Sequence, residues 1–177
     1  GTTNSAIAIN HNSKYEIIKN SDQMEYTPSV FWYNRGWSLQ VWKKAYEQLF
    51  VMSNDENVAN YKAEVKRLMW TSEIINFPRA KTSMNAEEVS AEILKYLKES
   101  VTKKYPELYT GWVVVTVPAY FDTIQKEATK RAWDIAGFEY TVLLQEPIAA
   151  AVAYWFDNKT NENWLVYDLG GGTFDVA

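Results

Sequence analysis

Cysteine is absent from the 177 residues, and histidine occurs once, at His11. The first absence excludes a disulfide framework, a thiol nucleophile and a thiolate zinc site. The lone His11 falls in the turn-like Asn10-His11-Asn12-Ser13 and reads as structural or solvated. Basic charge is also short, 18 Lys and Arg against 22 Asp and Glu for a net charge of −4. That balance argues against a general nucleic-acid binder, which carries a basic face. No uninterrupted apolar run reaches the roughly 18 residues of a membrane-spanning helix. The opening GTTNSAIAIN has neither a basic region nor a long apolar stretch, so no secretory signal is expected and a cytoplasmic protein is. Glycine is scarce too, seven residues against eight tryptophans, where average usage would supply roughly 12. What remains is 47% hydrophobic, enough for one domain or two small lobes with a buried core.

Punctuation and periodicity divide the chain into thirds. Ala6 to Ile9 and Tyr15 to Lys19 flank a turn and predict a hairpin. Pro28 precedes the β-rich Ser29 to Tyr33, and Asn34-Arg35-Gly36 leads into Leu39 to Val41, which predicts an antiparallel meander. Lys43 to Val51 and Ala59 to Met69 show helical spacing around the polar Ser53 to Asn57. A third helix is predicted from Asn85 to about Lys104, with Asn85 and Glu88 as a capping box and Val89, Ile93, Leu97 and Val101 on one buried face. In the last third, Val113 to Val117 reads as a strand buried on both faces. Asp122 caps a helix with Gln125 at its third position and Ile124, Ala128 and Ile135 on its inner side, and Gly137 stops it. Tyr140 to Leu144 is a strand, Pro147 suits the first turn of a helix Ile148 to Tyr154, and Trp164 to Asp168 is a strand ending on three glycines. The alternation predicts an α/β layer architecture.

Two segments carry chemistry. Gly1-Thr2-Thr3-Asn4-Ser5 is a turn-forming run before a strand, and Asp168-Leu169-Gly170-Gly171-Gly172-Thr173-Phe174-Asp175 follows one. Consecutive glycines let backbone N–H groups converge on an anion, because no Cβ blocks the approach. Hydroxyls of Thr2, Thr3 and Thr173 can bond phosphate oxygens, and carboxylates of Asp168 and Asp175 can hold Mg²⁺ directly or through water. Each segment alone also reads as an ordinary hairpin turn, so the phosphate reading needs the pair. Neither GxxxxGK[ST] nor a GxGxxG between a strand and a helix is present.

GTTNS, VKRLM (Val65 to Met69), VVTVPAYF (Val114 to Phe121), QKEATKRA (Gln125 to Ala132), IAGF (Ile135 to Phe138), QEPIAAAVAY (Gln145 to Tyr154) and DLGGGTFDV (Asp168 to Val176) occur in one order. Together they resemble the ATPase domain of the seventy-kilodalton heat-shock chaperones of the DnaK type, over essentially the whole chain. The resemblance implies a ribonuclease-H-like, actin-like ATPase lobe: a mixed sheet flanked by helices, with core segments 1–29 and 111–177 and an inserted subdomain of about 30–110. It implies ATP or ADP with Mg²⁺ as ligands. Gly1, Thr2, Thr3 and Asn4 would surround the β- and γ-phosphates, as would Gly170, Gly171, Gly172 and Thr173 from the other side. Lys66 would reach the γ-phosphate and the attacking water, Glu146 would position water on the metal or the nucleophilic water, and Asp168 would act around Mg²⁺. Read without the resemblance, Lys66 is a solvated lysine on an amphipathic helix and Glu146 a first-turn carboxylate. Pro118 and Lys126 match positions that relay nucleotide state, though Pro118 also reads as a strand terminator.

Further implied are unfolded polypeptide clients, a J-domain co-chaperone and a nucleotide-exchange factor, with no nucleic acid and no membrane. The family carries an aspartate before GTTNS and a second lobe after DLGGGTFD, so the expectation is a first lobe cut within both phosphate motifs. Alone it would hydrolyse ATP poorly or not at all, and its unpaired strand edges would invite association. The alternatives are a nucleotide-binding regulatory module without productive turnover, or an interaction fragment needing a partner lobe. The resemblance also locates the glycine shortage. Trp42, Trp70, Trp133 and Trp155 fall where it implies glycine, with Trp37 and Trp112 as further candidates. The expectation is strain at positive φ or overpacking, relieved by Trp→Gly at positions 70, 133 and 155.

Overall fold

The structure, a computed structural model, describes residues 1–33, 39–41, 60–158, 163–170 and 174–176. The predicted helix Lys43 to Val51, Trp37, Trp42, and Gly171, Gly172 and Thr173 lie outside the described residues.

The N-terminal third is built of short antiparallel pairs. Strand β1 (Asn4–Ser5) is followed by the hairpin of β2 (Ala8–His11) and β3 (Lys14–Ile17). Asn12 and Ser13 turn it with φ of 52° and 61°, the left-handed pair that a tight hairpin turn demands. The next segment is organised by Asn20, whose carboxamide oxygen accepts the N–H groups of Asp22 (3.0 Å) and Met24 (3.1 Å) while its nitrogen donates to the Tyr26 carbonyl (2.9 Å). This delivers β4 (Thr27–Pro28) to pair with β1. Strand β5 (Val30–Tyr33) then pairs antiparallel with β6 (Leu39–Val41), as the predicted meander requires, and on its other side with β7 (Tyr61–Ala63).

That last pairing corrects the helix predicted over Ala59 to Met69. Tyr61–Ala63 is a strand, Glu64 takes a left-handed φ of 53°, and only a 3₁₀ turn, Val65–Leu68, follows. The apolar spacing is helical, but the β5 ladder captures the first half of the segment. The hairpin β8 (Ile75–Phe77) and β9 (Thr82–Met84) leads into helix α1 (Ala86–Lys104). Its capping box is complete: Asn85 accepts the Glu88 N–H at 2.9 Å and Glu88 accepts the Asn85 N–H at 2.8 Å. Val89, Ile93, Leu97 and Val101 are all buried.

Strand β10 (Trp112–Val117) pairs in parallel with β11 (Tyr140–Gln145) across helix α2 (Thr123–Ile135). Asp122 and Gln125 cap α2 reciprocally, and Gly137 ends the turn after it at φ +83°. Two expectations are corrected here. Burial alternates along β10, with Val115 and Val117 inside and Val114 63% exposed, so one face only is covered. The buried residues of α2 are Gln125, Ala128 and Ala132, whereas Ile124 and Ile135 point outward. Helix α3 (Glu146–Asn158) is longer than predicted at both ends, and β12 (Tyr167–Leu169) and β13 (Phe174–Val176) form a closing hairpin.

The main core joins Phe31, Val65, Phe77, Val89 and Ile93 to Ala128 and Ala132 of α2. The rings of Phe31 and Phe77 meet with centroids 4.9 Å apart. Arg131 of α2 grips Glu87 of α1 with two nitrogens, at 3.0 and 2.7 Å, and holds the helices together at the rim.

Candidate functional site

The first chemical segment lies under β4. Pairing of Asn4 with Pro28 and Ser5 with Thr27 fixes its far end. Beyond the ladder the Ser29 N–H donates to the Thr3 carbonyl at 2.8 Å. The Ser29 hydroxyl donates to the Gly1 carbonyl at 2.9 Å and lies 2.9 Å from the Ser5 hydroxyl. A Cβ on Gly1 would come 2.5 Å from the Asn4 carbonyl oxygen, so only glycine permits this curvature. Thr2 is buried, and the enclosed Thr3 Oγ1 has no hydrogen-bond partner among the described residues. A buried hydroxyl without a partner costs about 1–3 kcal/mol, which an incoming acceptor oxygen would offset. The segment therefore fits a phosphate group.

Lys66 approaches the same place from the 3₁₀ turn, whose sharp entry at Glu64 sends the chain away from β7. Its Nζ donates to Glu146 Oε1 at 2.8 Å, with the two side chains 18% and 17% exposed. Glu146 is the first residue of α3 and precedes Pro147, which is fully buried. The Phe121 ring lies 5.4 Å from Nζ, so an aromatic face supports the ammonium beside the carboxylate. Phe121 is positioned by a turn in which its N–H donates to the carbonyl of the buried Pro118 at 3.2 Å. A cavity of about 90 Å³ is lined by Gly1, Ser5, Ser29 and Lys66, with Val115 and Val117 of β10 at its base. The start of the described chain, the 3₁₀ turn and the β10 layer thus meet around one small cavity whose polar groups stand against a largely apolar wall. Lys126, further along α2, is half-buried.

The second segment stands apart. Asp168 is half-buried on β12, opposite Asp175 in the β12–β13 register, and Gly170 is exposed. Among the described residues no hydrogen bond or ion pair joins Asp168 to Lys66 or Glu146, and no group of three acidic, histidine or cysteine side chains is placed to hold a metal. A larger cavity, about 380 Å³, opens between β2, α1 and β10, and none of the predicted site residues lines it. Sequence patterns give no site role to Ser29 or Phe121, whereas Ser5 lies within the GTTNS segment they single out. Phe121 sits at the end of the VPAYF motif, a signal that was available, whereas Ser29 has no local signal at all.

The Hsp70 protein family matches residues 1–177. The chain is 43% identical over 178 residues to the chaperone protein DnaK of Mycoplasmopsis pulmonis, covering all of this chain and 28% of that protein. It is 41% identical over 179 residues to the chaperone protein DnaK of Metamycoplasma hominis, again 28% of the relative. Against the chaperone protein dnaK of Emiliania huxleyi it is 38% identical over 195 residues, 31% of that protein. The chain thus spans less than a third of the length of these curated relatives. Matched from its first residue to its last, the chain belongs to the Hsp70 family, whose actin-like ATPase fold accounts for its mixed α/β layers.

Proposed function

We propose that this chain is the first lobe of the nucleotide-binding ATPase domain of a molecular chaperone, in which nucleotide state is coupled to the binding of unfolded polypeptide. The observation that carries the reading is the Lys66–Glu146 pair at 2.8 Å, with Lys66 lining one cavity together with Gly1, Ser5 and Ser29. In this reading Gly1, Thr2, Thr3 and Asn4 cradle phosphate from one side and Gly170, Gly171, Gly172 and Thr173 from the other. Lys66 neutralises charge on the terminal phosphate, and Glu146 accepts a hydrogen bond from the water that attacks it. Glu146 and Asp168 would hold Mg²⁺, through water at Glu146, and the metal when bound would supply neutralisation of phosphate charge. The division into core segments 1–29 and 111–177 around an inserted segment of about 30–110 belongs to the same proposal. So do a J-domain co-chaperone and a nucleotide-exchange factor as partners.

The expectation that belongs to this reading is that the 177-residue chain alone turns over ATP poorly or not at all. Calorimetric titration with Mg-ATP, followed by a phosphate-release assay, tests this. Weak binding without repeated turnover is the expected outcome, with activity gained when the remaining lobe is added in trans. Micromolar affinity with multiple turnovers by the chain alone would overturn the expectation of inactivity. Failure of the completed protein to bind nucleotide would overturn the function itself.

A further inference from the structure

We infer that Ser29 is a positioning residue for the first phosphate-binding segment, an inference that rests on the reading of Gly1 to Ser5 as that segment. Ser29 is 4% exposed and follows β4 directly. It touches the segment at three points: Gly1 O at 2.9 Å, Thr3 O at 2.8 Å and Ser5 Oγ at 2.9 Å. A hydroxyl has a single proton, and that of Ser29 is given to the Gly1 carbonyl. The Ser5 hydroxyl must therefore donate to Ser29 Oγ.

The outcome is a hydrogen-bonded circuit that runs from the Ser5 hydroxyl through Ser29 Oγ to Gly1 O. Each bond polarises the next, so the circuit is stiffer than its separate bonds. Its chemical effect follows from where the acceptors point. Carbonyl oxygens repel an anion, and the carbonyls of Gly1 and Thr3 are both turned toward Ser29 and occupied there. The circuit also draws the first and last residues of the segment together, in the cavity that Gly1, Ser5 and Ser29 share with Lys66. Ser29 so holds the loop in the one curvature that presents its donors to phosphate. A serine that merely satisfied its own hydroxyl would need one side-chain bond, whereas the Ser29 hydroxyl makes two and its backbone N–H adds the bond to Thr3.

The test is calorimetric titration of ADP with Mg²⁺ into the full-length protein and its variants, with melting temperatures measured alongside. Ser29→Ala removes the hydroxyl and keeps the amide. It is expected to weaken ADP binding about three- to tenfold, the net worth of a hydrogen bond or two. Ser29→Thr retains the hydroxyl and is expected to restore affinity to within about twofold of wild type. Ser5→Ala, which opens the circuit at a less buried point, is expected to weaken binding in the same direction and covers the case in which Ser29→Ala does not fold. Asn85→Ala, remote from the segment, lowers the melting temperature without changing affinity and separates positioning from general destabilisation. Wild-type affinity in folded Ser29→Ala or Ser5→Ala, or a loss no greater than that of Asn85→Ala, overturns the inference. Absence of ADP binding by the wild-type protein overturns the functional reading instead.

Discussion

Lys66 and Glu146 are 80 positions apart in the chain and 2.8 Å apart in space. Both side chains are more than four-fifths enclosed, so removing either leaves the other poorly solvated beside Phe121. A double-mutant cycle with Lys66→Met and Glu146→Gln, read by urea unfolding, is expected to give a coupling of about 1 kcal/mol. Independent, additive effects would show that the pair is incidental. The tryptophans need a different argument from the one composition suggested. Trp70, Trp133 and Trp155 are not among the positive-φ residues of the chain, so a left-handed backbone strains none of them. Trp133 lies within α2 with its ring 4.8 Å from that of Phe138, and Trp155 lies inside α3, not past its end. Glycine inside a helix costs about 1 kcal/mol relative to a good helix former. Trp133→Gly is therefore expected to lower the melting temperature, by more than Trp155→Gly, with the 46%-exposed Trp70 nearly neutral. A rise at position 133 would restore the strain argument.

Among the elements, α1 was legible because three signals coincide: a cap at Asn85, a partner at Glu88 and a four-residue apolar repeat from Val89 to Val101. Where signals conflicted the reading failed. Val65, Leu68 and Met69 sit at helical spacing, yet Tyr61–Ala63 gains more from the β5 ladder than from a helix of its own. Ile124 and Ile135 are the branched aliphatic residues of α2, but small residues, Ala128 and Ala132, are what the close approach to α1 admits. The β2–β3 hairpin docks on the last turn of α1 in a way no local pattern announces. Glu16 accepts from Lys104 and, at 2.6 Å, from the Tyr105 hydroxyl. The Lys104 and then the Tyr105 hydrogen bond hold the Glu16 carboxyl below its ordinary value of 4.5, and the same contacts raise Lys104 and Tyr105. A depressed carboxyl contributes stability that is fully present above its unfolded pKa and lost as pH falls through the folded one. The raised partners act in the opposite sense, their share present below their ordinary values and lost as pH rises through the folded ones. The melting-temperature difference between wild type and Glu16→Gln is thus expected to be largest near neutrality and to shrink as pH falls below the ordinary carboxyl value of 4.5. A difference independent of pH would exclude this contact as its source.

For the whole molecule, the family motifs reached further than the physics of any one segment. They brought Gly1, Lys66 and Glu146 into one site, and the described residues supply the contacts among the 3₁₀ turn, α3 and the chain start that motif order alone could not. The composition of the segment Val113 to Val117, by contrast, predicts a strand covered on both faces, because an unbroken β-branched run has no polar side to reveal an open one. In the structure Val114 of β10 stands opposite Val142 of β11, and Trp112 opposite Tyr140 with ring centroids 4.6 Å apart. All four side chains are more than half exposed, at 63%, 53%, 66% and 53% in that order. An apolar sheet face of this kind binds hydrophobic dyes and limits solubility. Because Val114 and Val142 contribute little burial, lysine at either position removes exposed apolar surface at small cost to the fold, within about 0.5 kcal/mol. Val114→Lys and Val142→Lys are each expected to reduce anilinonaphthalene sulfonate fluorescence of the 177-residue chain while leaving its melting temperature nearly unchanged. A large fall in melting temperature with either substitution would mean that the face is packed, and that the two-sided burial expected from the valine run describes the protein better.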